Sequence, residues 1–249
     1  MVRRAPRKKA KSEKARPARN PAFRKFLLFT IALTLAVVGL NALAHINYFR
    51  VQDVTVTGNG HETAGAVISV TGLDQAPPMI DVDSKALTKR AQSLRWIESI
   101  TAVRHWPHGV TLNVRERQPV AVASDDSGAL YLVDRGGHQL DPPALGTNLP
   151  RLQVRGTTTG WPFRNWARPA ARVAATLPIA FGRQVAVISI DRHGVVRLQM
   201  TTPVSFVLGT TENLHDKYVA VAAVIAHQVL TPGSIVDVSV PSAVTIQAG

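Results

Sequence analysis

Residues 26–44, FLLFTIALTLAVVGLNALA, contain no charged side chain, and the 25 residues before them are crowded with Lys and Arg. Nineteen residues in a helix span roughly 28 Å at about 1.5 Å each, close to the ~30 Å hydrocarbon thickness of a bilayer. The polar side chains inside the run, Thr30, Thr34 and Asn41, are uncharged. The uncharged stretch continues through His45 to Phe49 and places Tyr48 and Phe49 where aromatic residues anchor a span at the membrane surface. This pattern predicts a single transmembrane helix over 26–48. The tripeptide Ala42-Leu43-Ala44 has the small-x-small form of a signal-peptidase site. The basic segment and the apolar run are both longer than those of a cleaved leader, so the reading favours an uncleaved anchor. The rest of the sequence has no second run of spanning length, and the chain is expected to cross once.

The formal net charge of +13 would by itself suggest nucleic acid as a partner. Its distribution argues otherwise. Residues 1–25 hold eleven Lys/Arg against Glu13 alone, a net of +10, which leaves +3 for everything else. The basicity therefore belongs to a tail of Lys, Arg, Ala and Pro, too poor in apolar side chains to offset the entropy of ordering and expected to be disordered. Short basic flanks stay in the cytoplasm, and Arg24 and Lys25, next to the span, carry that topology signal most directly. No base-reading element accompanies the tail, so no nucleic-acid partner is expected. The chain has no cysteine, which excludes disulfides and thiolate chemistry.

Beyond the membrane the pattern resolves into two units. In the first, 51–57 alternates apolar and polar residues up to Gly58-Asn59-Gly60, and 62–70 reads as a short helix closed by Gly72. Asp83 is positioned to cap a helix carrying Leu87, Ala91 and Leu94. Residues 99–104 and 110–115 are strands joined by Trp106-Pro107-His108-Gly109, with Val110, Leu112 and Val114 on one face. The order is β-α-α-β-β over 49–117. The second unit, 118–249, opens with apolar strands at 119–123 and 130–133 and a turn at Asp134-Arg135-Gly136-Gly137. Residues 141–164 read as a surface excursion, 166–177 as a helix, and 185–191, 195–201 and 204–208 as a meander. The strongest helical pattern is 212–230, with Leu214, Tyr218, Val221, Ala222, Ile225 and Val229 in one stripe. Strands at 235–240 and 244–246 end the chain. The fold class expected is α+β: disordered basic tail, single transmembrane helix, a β-α-α-β-β domain, then a mostly antiparallel β domain with two helices.

Catalysis needs convergent side chains, and the sequence shows no motif that supplies them. His105 and His108 flank Trp-Pro without a third ligand at metal spacing, and Asp81 and Asp83 fit a helix cap better than a carboxylate pair. Nucleophile-elbow, Ser-x-x-Lys, phosphate-loop and His-Glu-x-x-His patterns are missing. No catalytic residue, cofactor or metal is expected.

Several stretches together carry a family resemblance: V-Q-D-V-T-V-T-G-N after the span, R-H-W-P-H-G-V-T-L-N-V-R-E-R-Q-P-V-A at 104–121, Y-L-V-D-R-G-G at 131–137 and I-V-D-V-S-V-P at 235–241. The chain resembles the FtsQ/DivIB family of bacterial cell-division proteins over essentially its whole length. The resemblance implies that the first unit is a POTRA domain and the second the family's β domain. It also implies a non-enzymatic divisome scaffold in the cell (inner) membrane at the septum, with its N-terminus cytoplasmic. Such a scaffold holds an FtsB/DivIC-like and FtsL-like pair beside the septal peptidoglycan synthase complex. The implied docking mode is addition of a partner strand to the last strands. Here that edge is read at 235–240 continuing through 242–246, with Val238, Ser239, Val240 and Ser242 making the contact. Arg192, in a strand turn, and Lys217, on the last helix, are carried over from the family as partner-binding residues. Where some members have an aromatic residue and an arginine, this chain has Ser239 and Val240 followed by Pro241. Pro241 removes a donor, so the docking strand is expected to be shorter or shifted. A membrane-tethered extracytoplasmic enzyme acting on cell wall and a POTRA-type chaperone or transport component are the alternative readings.

Overall fold

The computed structural model describes residues 21–44, 47–125, 127–156 and 162–249. The expectation of a disordered tail falls on residues 1–20, outside the described part. Helix α1 (Pro21–Ala44) begins before the uncharged run and takes Arg24 and Lys25, both exposed, into its first two turns. Its described side chains are those of 24–39 and Ala42; Phe26, Leu27, Leu28, Phe29, Ile31, Leu33, Leu35, Val37 and Val38 are all exposed. Counted over the described residues, no helix is long and apolar enough to cross a membrane. The hydroxyls of Thr30 and Thr34 donate to the carbonyls of Leu27 and Thr30, at 2.9 and 2.8 Å, and so are satisfied inside the helix.

The next unit has the expected β-α-α-β-β order: β1 (Asp53–Thr57), α2 (Ala64–Thr71), α3 (Ser84–Ala91), β2 (Ile97–His105) and β3 (Gly109–Glu116). The sheet order is β1-β3-β2, with β1 parallel and β2 antiparallel to the central β3. The alternation of β3 sends Val110, Leu112 and Val114 into a core shared with Val67 of α2 and Leu87 and Ala91 of α3. Both helices are capped by residues legible in the sequence. Thr63 accepts from the amide of Ala66, Asp83 accepts from Ala86, and Gly72 ends α2 in the left-handed region. Leu94 is only partly buried. Gly58 has φ +79°, and a Cβ there would sit 2.2 Å from the Val114 carbonyl oxygen.

The C-terminal unit is one sheet of eight strands. β4 (Pro119–Ser124), β5 (Leu130–Asp134), β6 (Arg151–Val154), β7 (Val185–Ile190), β8 (Val196–Met200), β9 (Ser205–Gly209), β10 (Ile235–Asp237) and β11 (Thr245–Gln247) are arranged β11-β10-β9-β8-β7-β6-β4-β5. Helices α4 (Phe163–Thr176) and α6 (Leu214–His227) bury Trp166, Ala170, Val173, Tyr218, Val221 and Val224 in its core, and α5 (Ile179–Gly182) is a single turn. The opposite face carries half-exposed or exposed polar residues such as Gln153, Ser189, Arg197 and Gln199.

Four expectations are corrected here. The sheet is mixed rather than mostly antiparallel, since β4–β6, β6–β7 and β9–β10 are parallel. The cause is the two long helices, which act as crossovers from β6 to β7 and from β9 to β10, and a crossover returns the chain in the same direction. The excursion at 141–164 contains β6, an inner strand whose single buried apolar residue, Leu152, gives only a weak signal. The stripe on α6 is rotated: Lys217, Tyr218, Ala220, Val221 and Val224 are buried, while Ala222 and Ile225 are exposed. Val229 lies past the helix end, because Gln228 is already extended. Helix α4 starts at Phe163, which puts Pro169 in its second turn and not its first.

Gly58→Ala is expected to cost about 2 kcal/mol or more, because left-handed strain of roughly 1–2 kcal/mol adds to the clash with β3. Gly128, at φ +86° with open space around it, is the control. Gly128→Ala should show the strain alone, so its urea midpoint should fall less than that of Gly58→Ala.

Candidate docking edge and the interdomain junction

Glu116 and Arg117 follow each other at the end of β3 and point to different partners. The Glu116 carboxylate accepts from the backbone amides of Gly60, His61 and Glu62 and contacts Nδ1 of His61 at 2.7 Å. Burial raises its pKa, but the bonds from His61, Glu62 and Gly60 outweigh that and hold it below the usual carboxylate value. The loop after β1 is thereby fastened to β3, and the His61 ring stacks on Trp96 at 3.6 Å.

Arg117 turns toward the second unit. Its Nη1 donates to Asp134 Oδ2 at 2.7 Å, and both side chains are nearly buried, 12% and 6% exposed. Asp134 closes β5 and also accepts from the amides of Gly136 and His138 at 2.8 Å each. His138 Nδ1 lies 3.0 Å from both carboxylate oxygens. Burial pushes this carboxyl up, yet the His138 amide, Arg117 and the His138 ring together hold it below its ordinary value. Around this pair, the Trp96 indole donates to Asp141 at 2.7 Å, and the Arg117 amide donates to the Trp96 carbonyl at 2.7 Å. Glu98 receives Arg115 through two bonds of 2.9 Å and Arg135 through one of 3.1 Å. Gly137 is needed here for space: at φ +76°, a Cβ would lie 2.7 Å from the backbone nitrogen of Arg168 in α4.

At the opposite end of the C-terminal sheet the residues predicted to bind a partner gather unevenly. The register places Val196 opposite Gly209, so the β7–β8 turn that holds Arg192 lies at the sheet end reached by β9 and the residues after β10. Arg192 is exposed there, in a turn ordered by Asp191 accepting from the amides of His193 and Val195. Lys217 is buried, 3% exposed, and its Nζ donates to the Thr210 carbonyl at 2.8 Å. Burial lowers its pKa, with Glu212 acting against the shift. Val238 is fully buried and its amide donates to Val207 at 2.9 Å. The Ser239 amide is taken by Asp237 Oδ1, whereas Val240 and Ser242 are exposed.

The predicted edge is thus shifted. β10 is an inner strand between β9 and β11, and the outer strand is β11, whose Thr245, Ile246 and Gln247 are all exposed. Pro241 explains the shift. The Ala243 amide donates to the Val240 carbonyl at 2.9 Å, closing a turn with proline at its second position. That turn folds 245–247 back onto β10. The sequence signal was Pro241-Ser242 itself, a turn dipeptide read only as a lost donor. Among the described residues, no three His, Asp or Glu side chains are grouped as metal ligands.

Comparison with known proteins agrees with this architecture. Residues 49–117 match the model of the POTRA domain, FtsQ-type. Along most of its length the chain is similar to cell division protein FtsQ of Streptomyces venezuelae, 29% identical over 75% of this chain and 70% of that protein. FtsQ of Mycobacteroides abscessus is 27% identical over 89% of this chain and 69% of its own length. FtsQ of Mycobacterium tuberculosis is 25% identical over 99% and 79%. Residues 49–117 are thus an FtsQ-type POTRA domain, and the chain as a whole is similar to FtsQ cell-division proteins. In this chain the Glu-Arg-x-Pro run at 116–119 has distinct tasks: Glu116 holds the POTRA loop, Arg117 holds the second unit, and Pro119 opens β4.

Breaking a buried ion pair leaves one charge uncompensated and costs about 3 kcal/mol. Asp134→Asn is therefore expected to unfold at lower urea than wild type at pH 7. A depressed carboxyl contributes stability above its unfolded value, near 3.9, and loses it as pH falls through the folded value. The gap between Asp134→Asn and wild type should narrow as urea titrations move from pH 7 to below about 4.

Proposed function

We propose that this chain is a non-enzymatic, membrane-anchored scaffold of the division machinery. It binds an FtsB/DivIC-like and FtsL-like pair by strand addition and so helps to control septal peptidoglycan synthesis. The observation that carries the reading is the outer strand β11, exposed along its length, whereas the other outer strand, β5, is flanked by 139–141 through Leu132 and Val133. An unpaired strand presents backbone donors and acceptors as a template for another chain. Pairing through backbone atoms would give affinity, and the exposed side chains of Val240 and Ile246 would give selectivity. Val238 and Lys217 are buried and bonded to Val207 and Thr210, at either end of the stretch that closes β9, so they act by holding the sheet, and Arg192 lies at the same end of the sheet.

The anchor belongs to the same reading. The 19-residue uncharged run lies within α1, its described apolar side chains are exposed all round, and its threonine hydroxyls are bonded internally. Such a helix suits lipid, where each polar group must be satisfied within the segment. With the basic segment on the cytoplasmic side, both folded units lie outside the cytoplasm, in the cell membrane at the septum.

Proline placed in turn at Thr245, Ile246 and Gln247 tests the edge, because at least one of these amides faces away from β10. The expected result is loss of co-purification with the FtsB-like partner for that proline, with circular dichroism unchanged. Full recovery with all three would sink the edge model. Charge at Val240 is the milder probe and should weaken capture, whereas charge at buried Val238 should unfold the sheet. For the anchor, Leu35→Arg places a charge mid-run at a cost of about 3 kcal/mol. Carbonate extraction should then release the variant while wild type stays in the membrane fraction.

A further inference from the structure

The end of the POTRA unit from which the chain leaves α1 carries an aromatic surface that the docking edge does not use. Tyr48 and Phe49 meet edge to face at 5.2 Å, Phe49 meets Trp106 at 5.7 Å, and Tyr48 meets His108 at 6.3 Å. Tyr48 is 62% exposed and Trp106 54%, an unusual state for two large aromatic rings on one surface. Nearby Ile80 is also exposed, its carbonyl accepting from the Arg104 guanidinium. Arg50, on the segment leaving the aromatic pair, donates to the Ala76 carbonyl.

The turn at Trp106 is bound to the chain that emerges from the helix. The amides of Gln52 and Asp53 donate to the His108 carbonyl at 3.0 and 3.3 Å, and the amide of Val51 donates to Pro77 at 3.0 Å. Tyr48 follows Ala44 by four residues, which reach at most about 14 Å when fully extended. Trp106, far from the span in sequence, is therefore held beside a residue that cannot leave the vicinity of the helix end.

We propose that Tyr48, Phe49 and Trp106 form one aromatic foot that seats the POTRA domain on the outer surface of the lipid bilayer. The inference rests on α1 being a membrane anchor. Aromatic rings with polar tips, Tyr and Trp, settle at the level of lipid headgroups, where the ring is sheltered and its donor stays wet. The guanidinium groups of Arg50 and Arg104 bond neutral backbone carbonyls of the POTRA unit, so their positive charge adds to the attraction of anionic headgroups. The span alone would leave the folded units free to swing on their link. With the foot seated, the POTRA domain stands at a fixed height and the docking edge is held at a set distance from the membrane.

The test uses the full-length protein in phosphatidylcholine–phosphatidylglycerol vesicles, with and without bromine on the lipid acyl chains. Tryptophan emission of wild type minus that of Trp106→Phe isolates the Trp106 signal. Bromolipid is expected to quench most of that difference, and the difference spectrum should be blue-shifted. A red, unquenched difference in vesicles that float with the protein overturns the foot and leaves the anchor standing. If the protein does not float, both readings fall. A blue-shifted but unquenched difference would mean that another protein surface covers the ring, which also overturns the proposal. A second readout does not depend on Trp106→Phe folding well. The chain has no cysteine, so a spin label on His105→Cys is unique. It should be relaxed by lipid-soluble oxygen more than by an aqueous nickel chelate, and the reverse order would overturn the foot.

Discussion

The contact on which the arrangement of the two folded units depends is the nearly buried pair of Arg117 and Asp134. It joins the last strand of the POTRA domain to the first hairpin of the C-terminal sheet. A buried ion pair is worth having only when its remaining donors and lone pairs are also met. Here the Gly136 and His138 amides, the His138 ring and Arg117 meet the carboxylate from several directions. The bond from buried Trp96 to Asp141 adds directional restraint, while the pairs of Glu98 with Arg115 and Arg135 are more exposed, and exposed pairs contribute little each. The junction thus acts as one pinned corner with a looser rim.

That corner gives mechanical meaning to the two ends of the molecule. At one end the aromatic residues at 48, 49 and 106 lie beside the emerging chain; at the other, β11 closes the sheet. In the proposed scaffold role, the surface offered must keep a definite relation to the place where the protein is held. Arg117 and Glu116 sit in consecutive positions so that the strand alternation sends one side chain into each unit. A chain of contacts then runs from the segment after α1 through β3 to the C-terminal sheet.

Much of this was legible in the residues. The β-α-α-β-β order, the caps at Asp83 and Gly72 and the inward face of Val110, Leu112 and Val114 follow from local rules of period and capping. The stretch at 104–121 that carries the FtsQ/DivIB resemblance overlaps the end of the matched POTRA domain. What failed were the features set by neighbours distant in sequence. Strand β6 shows only Leu152 as a buried anchor and is a strand because β4 and β7 supply hydrogen bonds on both sides. On α6 the choice between Val224 and Ile225 as the inward residue depends on how the helix rolls onto β9, which helical spacing does not specify. Lys217 carries a charge and is still buried, because the Thr210 carbonyl is there to receive its ammonium.

The sequence by itself determined the uncharged run and the charge imbalance beside it, the number and order of most elements, and the POTRA unit at 49–117. Each depends on composition or on contacts between residues a few positions apart. Only the tertiary structure decided which strand forms the outer edge, that the sheet is mixed, that Asp134 is the partner of Arg117, and that Trp106 stands beside Tyr48 and Phe49. Those are pairings across long stretches of chain, fixed by hydrogen-bond register and burial. A single sequence records which residues can make such contacts, but the choice among them is made when the sheet and its helices close on one another.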